Sequence, residues 1–79
     1  MKVKVVMPKY GTGMNEGRLT KWFKAVGETV NEGEPLAEIE TAKSVQELES
    51  PTTGVLMEIL LQEGEEAEVR SPIAIIERS

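Results

Sequence analysis

The 79 residues allow one domain with a thin core, since a chain this short buries only about 60% of the surface it exposes when unfolded. Nine basic against fourteen acidic residues give a net charge of -5, which repels nucleic-acid backbones and anionic membrane surfaces. With no Cys and no His the chain lacks disulfides, redox dithiols, the usual zinc ligands and the base of a catalytic triad, while 39% hydrophobic and 29% charged residues are a folding composition.

The N-terminal apolar stretch ends at Pro8, and no run approaches the roughly 18 residues of a membrane span. Neither a signal peptide nor an anchor is read. The expected compartment is the cytoplasm, or the mitochondrial matrix of a eukaryote after loss of a targeting segment. Val3-Lys4-Val5 alternates as a half-buried strand does. Met7-Pro8 then leads into Tyr10 to Asn15, a stretch with Gly11 and Gly13 that is read as a protruding loop. Arg18 to Ala25 carries Thr20, Trp22 and Phe23 and is expected to be a strand, the third, with at least one of the two aromatics in the core.

From here the chain repeats itself. Shifting it by 37 positions aligns Gly17 to Glu40 with Gly54 to Glu77 and gives eight identities in 24 positions: Gly17/Gly54, Leu19/Leu56, Gly27/Gly64, Glu28/Glu65, Pro35/Pro72, Ala37/Ala74, Ile39/Ile76 and Glu40/Glu77. Met7-Pro8 aligns with Ser50-Pro51 only at a shift of 43, so the first half holds six extra residues around Tyr10 to Asn15. Leu36 to Glu40 and Val45 to Glu49 alternate with their carboxylates toward water, which implies antiparallel strands. Val55 to Gln62 also satisfies the stripe of an amphipathic helix through Val55, Leu56, Ile59 and Leu60. Its repeat partner favours strand, and two copies of one unit should share a conformation. The expected fold is therefore all-β, a flattened barrel or sandwich of two four-stranded antiparallel sheets related by a pseudo-twofold axis, spanning residues 1 to 79 as a single domain. Its expected core holds Leu19, Val30, Leu36, Leu48, Leu56, Ile59 and Ile73.

Midway lies Glu40-Thr41-Ala42-Lys43-Ser44-Val45, a short connection between two alternating strands and hence a hairpin turn with Lys43 at its tip. The pseudo-twofold places this turn at one end of the molecule and both termini at the other. It also sets the Tyr10 to Asn15 insertion beside the turn, where Tyr10 and Met14 are expected to offer exposed apolar contact.

Met7-Pro8, Glu16-Gly17, Lys21-Trp22, Gly27-Glu28, Leu36 to Thr41, Lys43, Glu49-Ser50-Pro51, Gly54, Glu63-Gly64 and Pro72-Ile73-Ala74 together resemble the lipoyl domain of 2-oxo acid dehydrogenase complexes. The resemblance implies that Lys43 receives lipoic acid in amide linkage. Glu40, Gly27 and Gly54 match the pattern read by the lipoate ligase or lipoyl transferase. Ala42 and Ser44 depart from the family's usual Glu-Thr-Asp-Lys-Ala turn, and the first of these removes a carboxylate. The resemblance further implies a non-catalytic carrier, monomeric as an isolated domain, that serves a thiamin-dependent decarboxylase, an acyltransferase catalytic domain and dihydrolipoamide dehydrogenase. Tyr10, Met14, Thr41, Ala42 and Ser44 would be the surface read by partners. Both a free-standing carrier and part of a larger acyltransferase chain fit; the glycine-cleavage carrier fits less well, having a longer chain. Two alternatives share the fold: a biotinyl carrier, whose lysine stands between methionines, and an unmodified binding module.

Two other features point to no site. Gly11-Thr12-Gly13 lacks the strand and helix of a dinucleotide site. Glu63, Glu65, Glu66 and Glu68 lack the spacing of a calcium loop, which leaves a solvated acidic turn.

Overall fold

A computed structural model describes residues 1–78, in eight strands: β1 Lys2–Val6, β2 Glu16–Trp22, β3 Thr29–Val30, β4 Pro35–Glu40, β5 Val45–Glu49, β6 Gly54–Ile59, β7 Glu66–Glu68 and β8 Pro72–Arg78. They form two four-stranded sheets, in the orders β1-β8-β6-β3 and β5-β4-β2-β7, and every pairing is antiparallel. Each sheet takes two strands from each half of the chain. The halves therefore cannot bury their apolar faces separately and must interlock.

The repeat persists at the level of single hydrogen bonds. Gly27 N donates to Leu56 O at 2.7 Å and Gly64 N to Leu19 O at 2.7 Å; Phe23 N donates to Leu36 O and Leu60 N to Ile73 O, both at 2.9 Å. The strands even kink alike, with a bulge between Leu19 and Lys21 in β2 and between Leu56 and Glu58 in β6. The second offset is equally visible, since Gly33 N donates to Ser50 O at 2.9 Å where Arg70 N donates to Met7 O at 2.8 Å. Gly27, Gly33 and Gly64 adopt φ of 97°, 89° and 92°, the left-handed region open to glycine. Arg70 occupies the position related to Gly33 and holds φ 77° despite its side chain.

Val5, Met7, Leu19, Val30, Leu36, Ala37, Ile39, Leu48, Leu56, Leu61, Ile73, Ala74 and Ile76 are buried between the sheets. Six of the seven expected core residues are among them; Ile59 is only half-buried against that core. Trp22 also packs there, with its indole N–H donating to Leu61 O at 2.9 Å, whereas Phe23 is exposed. Trp22 ends the second strand and Phe23 follows it, so neither belongs to a third strand, because Met7 to Asn15 forms no strand of its own. The helical stripe of Val55 to Gln62 is broken, with Leu60 44% exposed and Leu61 only 8%. Pairing of β6 with β3 and β8 satisfies its backbone and overrides the helix propensity of Leu, Met and Glu.

The described residues extend over 35 × 20 × 18 Å. Arg78 N donates to Met1 O at 2.8 Å, so β8 and β1 end together at the position that the pseudo-twofold relates to the β4–β5 hairpin.

Candidate functional site

The hairpin is built by one hydroxyl. Glu40 pairs with Val45, and Thr41 N donates to Ser44 O at 2.8 Å to close a four-residue turn. Inside it Thr41 Oγ1 accepts from Lys43 N at 3.3 Å and Ser44 N at 3.1 Å, and donates to Ser44 O at 3.0 Å. A threonine side chain thus supplies the partners that two turn amides lack. Gln46 Nε2 donates to Ser44 Oγ at 3.1 Å and braces the turn from the next strand. Thr41, expected as a contact for partners, is half-buried and first of all the residue that shapes the turn.

Lys43 is exposed at the tip between the small, exposed Ala42 and Ser44. Among the described residues its ammonium enters no ion pair, and neither does the exposed carboxylate of Glu40. An amine in this setting is open to an acylating enzyme and has no partner to leave. The small Ala42 and Ser44 on either side leave room at Nζ, so the site fits a long acyl chain.

Beside the turn lies the six-residue insertion, where the repeat offset placed it. The loop is held at several points: Tyr10 N donates to Met14 Sδ at 3.3 Å, Val69 N to Asn15 O at 3.0 Å, and the Tyr10 hydroxyl lies 3.5 Å from Glu47 O on β5. Burial, and then the negative charge of Glu49, push the Tyr10 phenol above its usual pKa. Met14 departs from expectation in part, since it is half-buried against the core as well as lining the space beside the turn, whereas Met7 is wholly buried. Loop and hairpin enclose a groove of about 460 Å³, with Tyr10, Met14 and Asn15 on one wall and Ala42, Lys43 and Gln46 on the other. A smaller hollow of about 270 Å³ beside the turn is lined by Glu16, Arg18, Glu40 and Glu66.

Gln46 was not singled out from the sequence, yet the signal was there. In Val45 to Glu49 it shares the inward phase with Leu48, and a polar side chain in that phase marks the open end of a core. Gly27 and Gly54 stand away from the turn in sequence, and each has a backbone reason to be glycine. Gly27 holds positive φ, and a Cβ on Gly54 would run into the carbonyl of Glu77. Two of the acidic-turn residues bind main chain: Glu63 Oε2 accepts from Trp22 N at 2.9 Å and Glu65 Oε1 from Gln62 N at 2.7 Å.

Over 76 residues, 96% of this chain, it is 43% identical to the dihydrolipoyllysine-residue acetyltransferase component of the acetoin cleaving system of Bacillus subtilis. The chain spans 11% to 19% of the length of such curated relatives. Among solved structures, the lipoyl domain of the 2-oxoglutarate dehydrogenase complex of Azotobacter vinelandii matches over 100% of this chain and 99% of its own, with a TM-score of 0.73 and 28% identity. Urea carboxylase of Kluyveromyces lactis shares the fold over 98% of this chain and 6% of its own, with a TM-score of 0.81 and 23% identity. Residues 3–76 match the Biotin_lipoyl family, described as "Biotin-requiring enzyme", and the chain belongs to that family of biotinyl and lipoyl attachment domains.

Proposed function

We propose that this chain is a lipoyl carrier, with lipoic acid joined to Lys43 through an amide. The observation that carries the proposal is an exposed, unpaired amine at the tip of a hydrogen-bonded hairpin, in a chain whose relatives by sequence are dihydrolipoyllysine acetyltransferases. When bound, the group supplies a disulfide that is reduced as it takes up an acyl unit. The chain's part is to present it. Thr41 fixes the turn, Ala42 and Ser44 leave room around the stem, and the Lys43 side chain adds its own length to the arm. Tethering turns each meeting with a partner active site into an encounter at an effective concentration on the order of mM.

The partners in this reading are the thiamin-dependent decarboxylase of a 2-oxo acid or acetoin complex, an acyltransferase catalytic domain and dihydrolipoamide dehydrogenase. Those enzymes make and break the bonds, and the carrier catalyses nothing itself. Attachment requires a lipoate ligase or lipoyl transferase, for which the exposed Glu40 is an available contact at the base of the turn. The compartment is that of the complex, cytoplasm or mitochondrial matrix.

The test is incubation with a lipoate ligase, lipoate and ATP, followed by intact mass and peptide mapping. One lipoyl group on Lys43, none on Lys43→Arg, and slower transfer to Glu40→Gln are expected. No mass gain, or modification of another of the six lysines, rejects the assignment. Biotin gained with a biotin ligase would establish the other branch of the family.

A further inference from the structure

We propose that the groove between the Tyr10–Met14 loop and the hairpin is a seat for the arm on Lys43 of the same chain, so that the arm alternates between a docked and an extended state. The inference rests on the carrier reading and adds a resting position to it. Lys43 itself lines the groove together with Ala42 and Ser44, so a chain joined to Nζ reaches the cavity without crossing another element. The volume of about 460 Å³ falls within the roughly 300–1,000 Å³ of pockets that bury compact organic ligands. Its chemistry also matches an arm with an apolar stem and a sulfur-bearing end. Tyr10 offers an aromatic ring and Met14 a polarizable thioether, and sulfur beside a ring is a favourable contact. Asn15 and Gln46 are on hand for the amide.

Two observations make this a formed seat. The loop is tied at Tyr10, Met14 and Asn15, and a Cβ on Gly17 at its base would lie 3.1 Å from Met14 Cε and 2.9 Å from Met7 Sδ, so loop, strand and core are already in contact. The insertion is also the main departure from the pseudo-twofold. The related corner, Ser50 to Thr53, is short and closes on itself through Ser50 Oγ donating to Thr52 O at 2.7 Å. The wall is present only at the end of the molecule that bears the lysine hairpin.

The experiment compares unmodified and lipoylated ¹⁵N-labelled domain by NMR, with complete modification first established by mass. Docking is expected to give nuclear Overhauser contacts from the arm's methylenes to the Tyr10 ring and the Met14 methyl, and amide shifts at Gly11, Gly13 and Gln46 as well as at the turn. Tyr10→Ala should remove the ring contacts and reduce the loop shifts about threefold, within what one sulfur–aromatic contact supplies. Tyr10→Phe, which keeps the ring, should preserve both and guards against misreading a misfolded alanine variant. A fully modified domain whose shifts stop at Ala42 to Ser44, with no contact to Tyr10 or Met14, overturns the seat and leaves the carrier intact. Loop signals that move only when the decarboxylase is added overturn it in favour of a partner surface. A domain that gains no lipoyl mass removes the arm and refutes both readings.

Discussion

Gly54 and Gly17 are repeat mates, yet the structure makes their replacement by alanine unequal. At Gly17 the new methyl would meet Met7 Sδ at 2.9 Å, Ile39 Cγ2 at 3.0 Å and Met14 Cε at 3.1 Å, all ends of side chains that can turn away. At Gly54 it would meet the backbone carbonyl of Glu77, and only movement of β8 against β6 relieves that. Overpacking costs about 1–3 kcal/mol, and a ladder hydrogen bond weakened by the shift adds about 1 kcal/mol. Gly54→Ala should therefore lose about 3 kcal/mol and Gly17→Ala about 1 kcal/mol. A domain of this length has roughly 4–12 kcal/mol in all, so the first loss lowers Tm by about 12–24 °C. Urea unfolding followed by the fluorescence of the one tryptophan, Trp22, measures both. A Gly54→Ala domain within about 0.5 kcal/mol of the parent, or more stable than Gly17→Ala, refutes the steric account. The same protein separates packing from recognition. If Gly54 acts only through packing, the folded fraction is lipoylated at the parental rate, and a slower rate would mean that the attaching enzyme reads Gly54 directly.

The left-handed backbone at Arg70, where its mate is Gly33, gives an opposed pair: Arg70→Gly should be neutral or stabilising by up to about 1 kcal/mol and Gly33→Ala destabilising by about 1–2 kcal/mol, compared by urea midpoints. Tyr10 is the only tyrosine, so phenolate absorbance at 295 nm should titrate above the ordinary value of 10.0, and Glu49→Gln should bring the midpoint down, though burial keeps part of the rise. The sign for stability follows: a pKa raised on folding contributes fully below the unfolded value and is lost as pH rises through the folded one, so unfolding should ease in that alkaline window and less so in Tyr10→Phe. Thr41→Val keeps the shape but removes the acceptor for two turn amides; about 1 kcal/mol of stability should go, and lipoylation should slow if the ligase needs a fixed turn, as intact-mass time courses would show.

Much of this was written in the chain because it is a repeat. Eight identities at a spacing of 37 give two four-stranded sheets related by a pseudo-twofold axis, and the change to 43 locates the inserted loop, both without coordinates. The central hairpin and its lysine follow from the same arithmetic. Composition alone removed cysteine and histidine chemistry.

Only the assembled sheets decided the rest, because it depends on which distant atoms become neighbours. Val55 to Ile59 is a strand since β3 and β8 flank it, although its local pattern also suits a helix. Gly54 is glycine for a carbonyl 23 positions away in sequence, at Glu77. Met14 looks like a loop contact by its neighbours in the chain, but Met7, Gly17 and Ile39 provide a place for it on the core. The groove has no local signature either, as its walls come from residues about thirty positions apart that share an end of the molecule because β2, which follows the loop, pairs with β4, which leads into the hairpin, Arg18 opposite Glu40. Period and punctuation report how a segment faces water, whereas close approach between segments is a property of the packed whole.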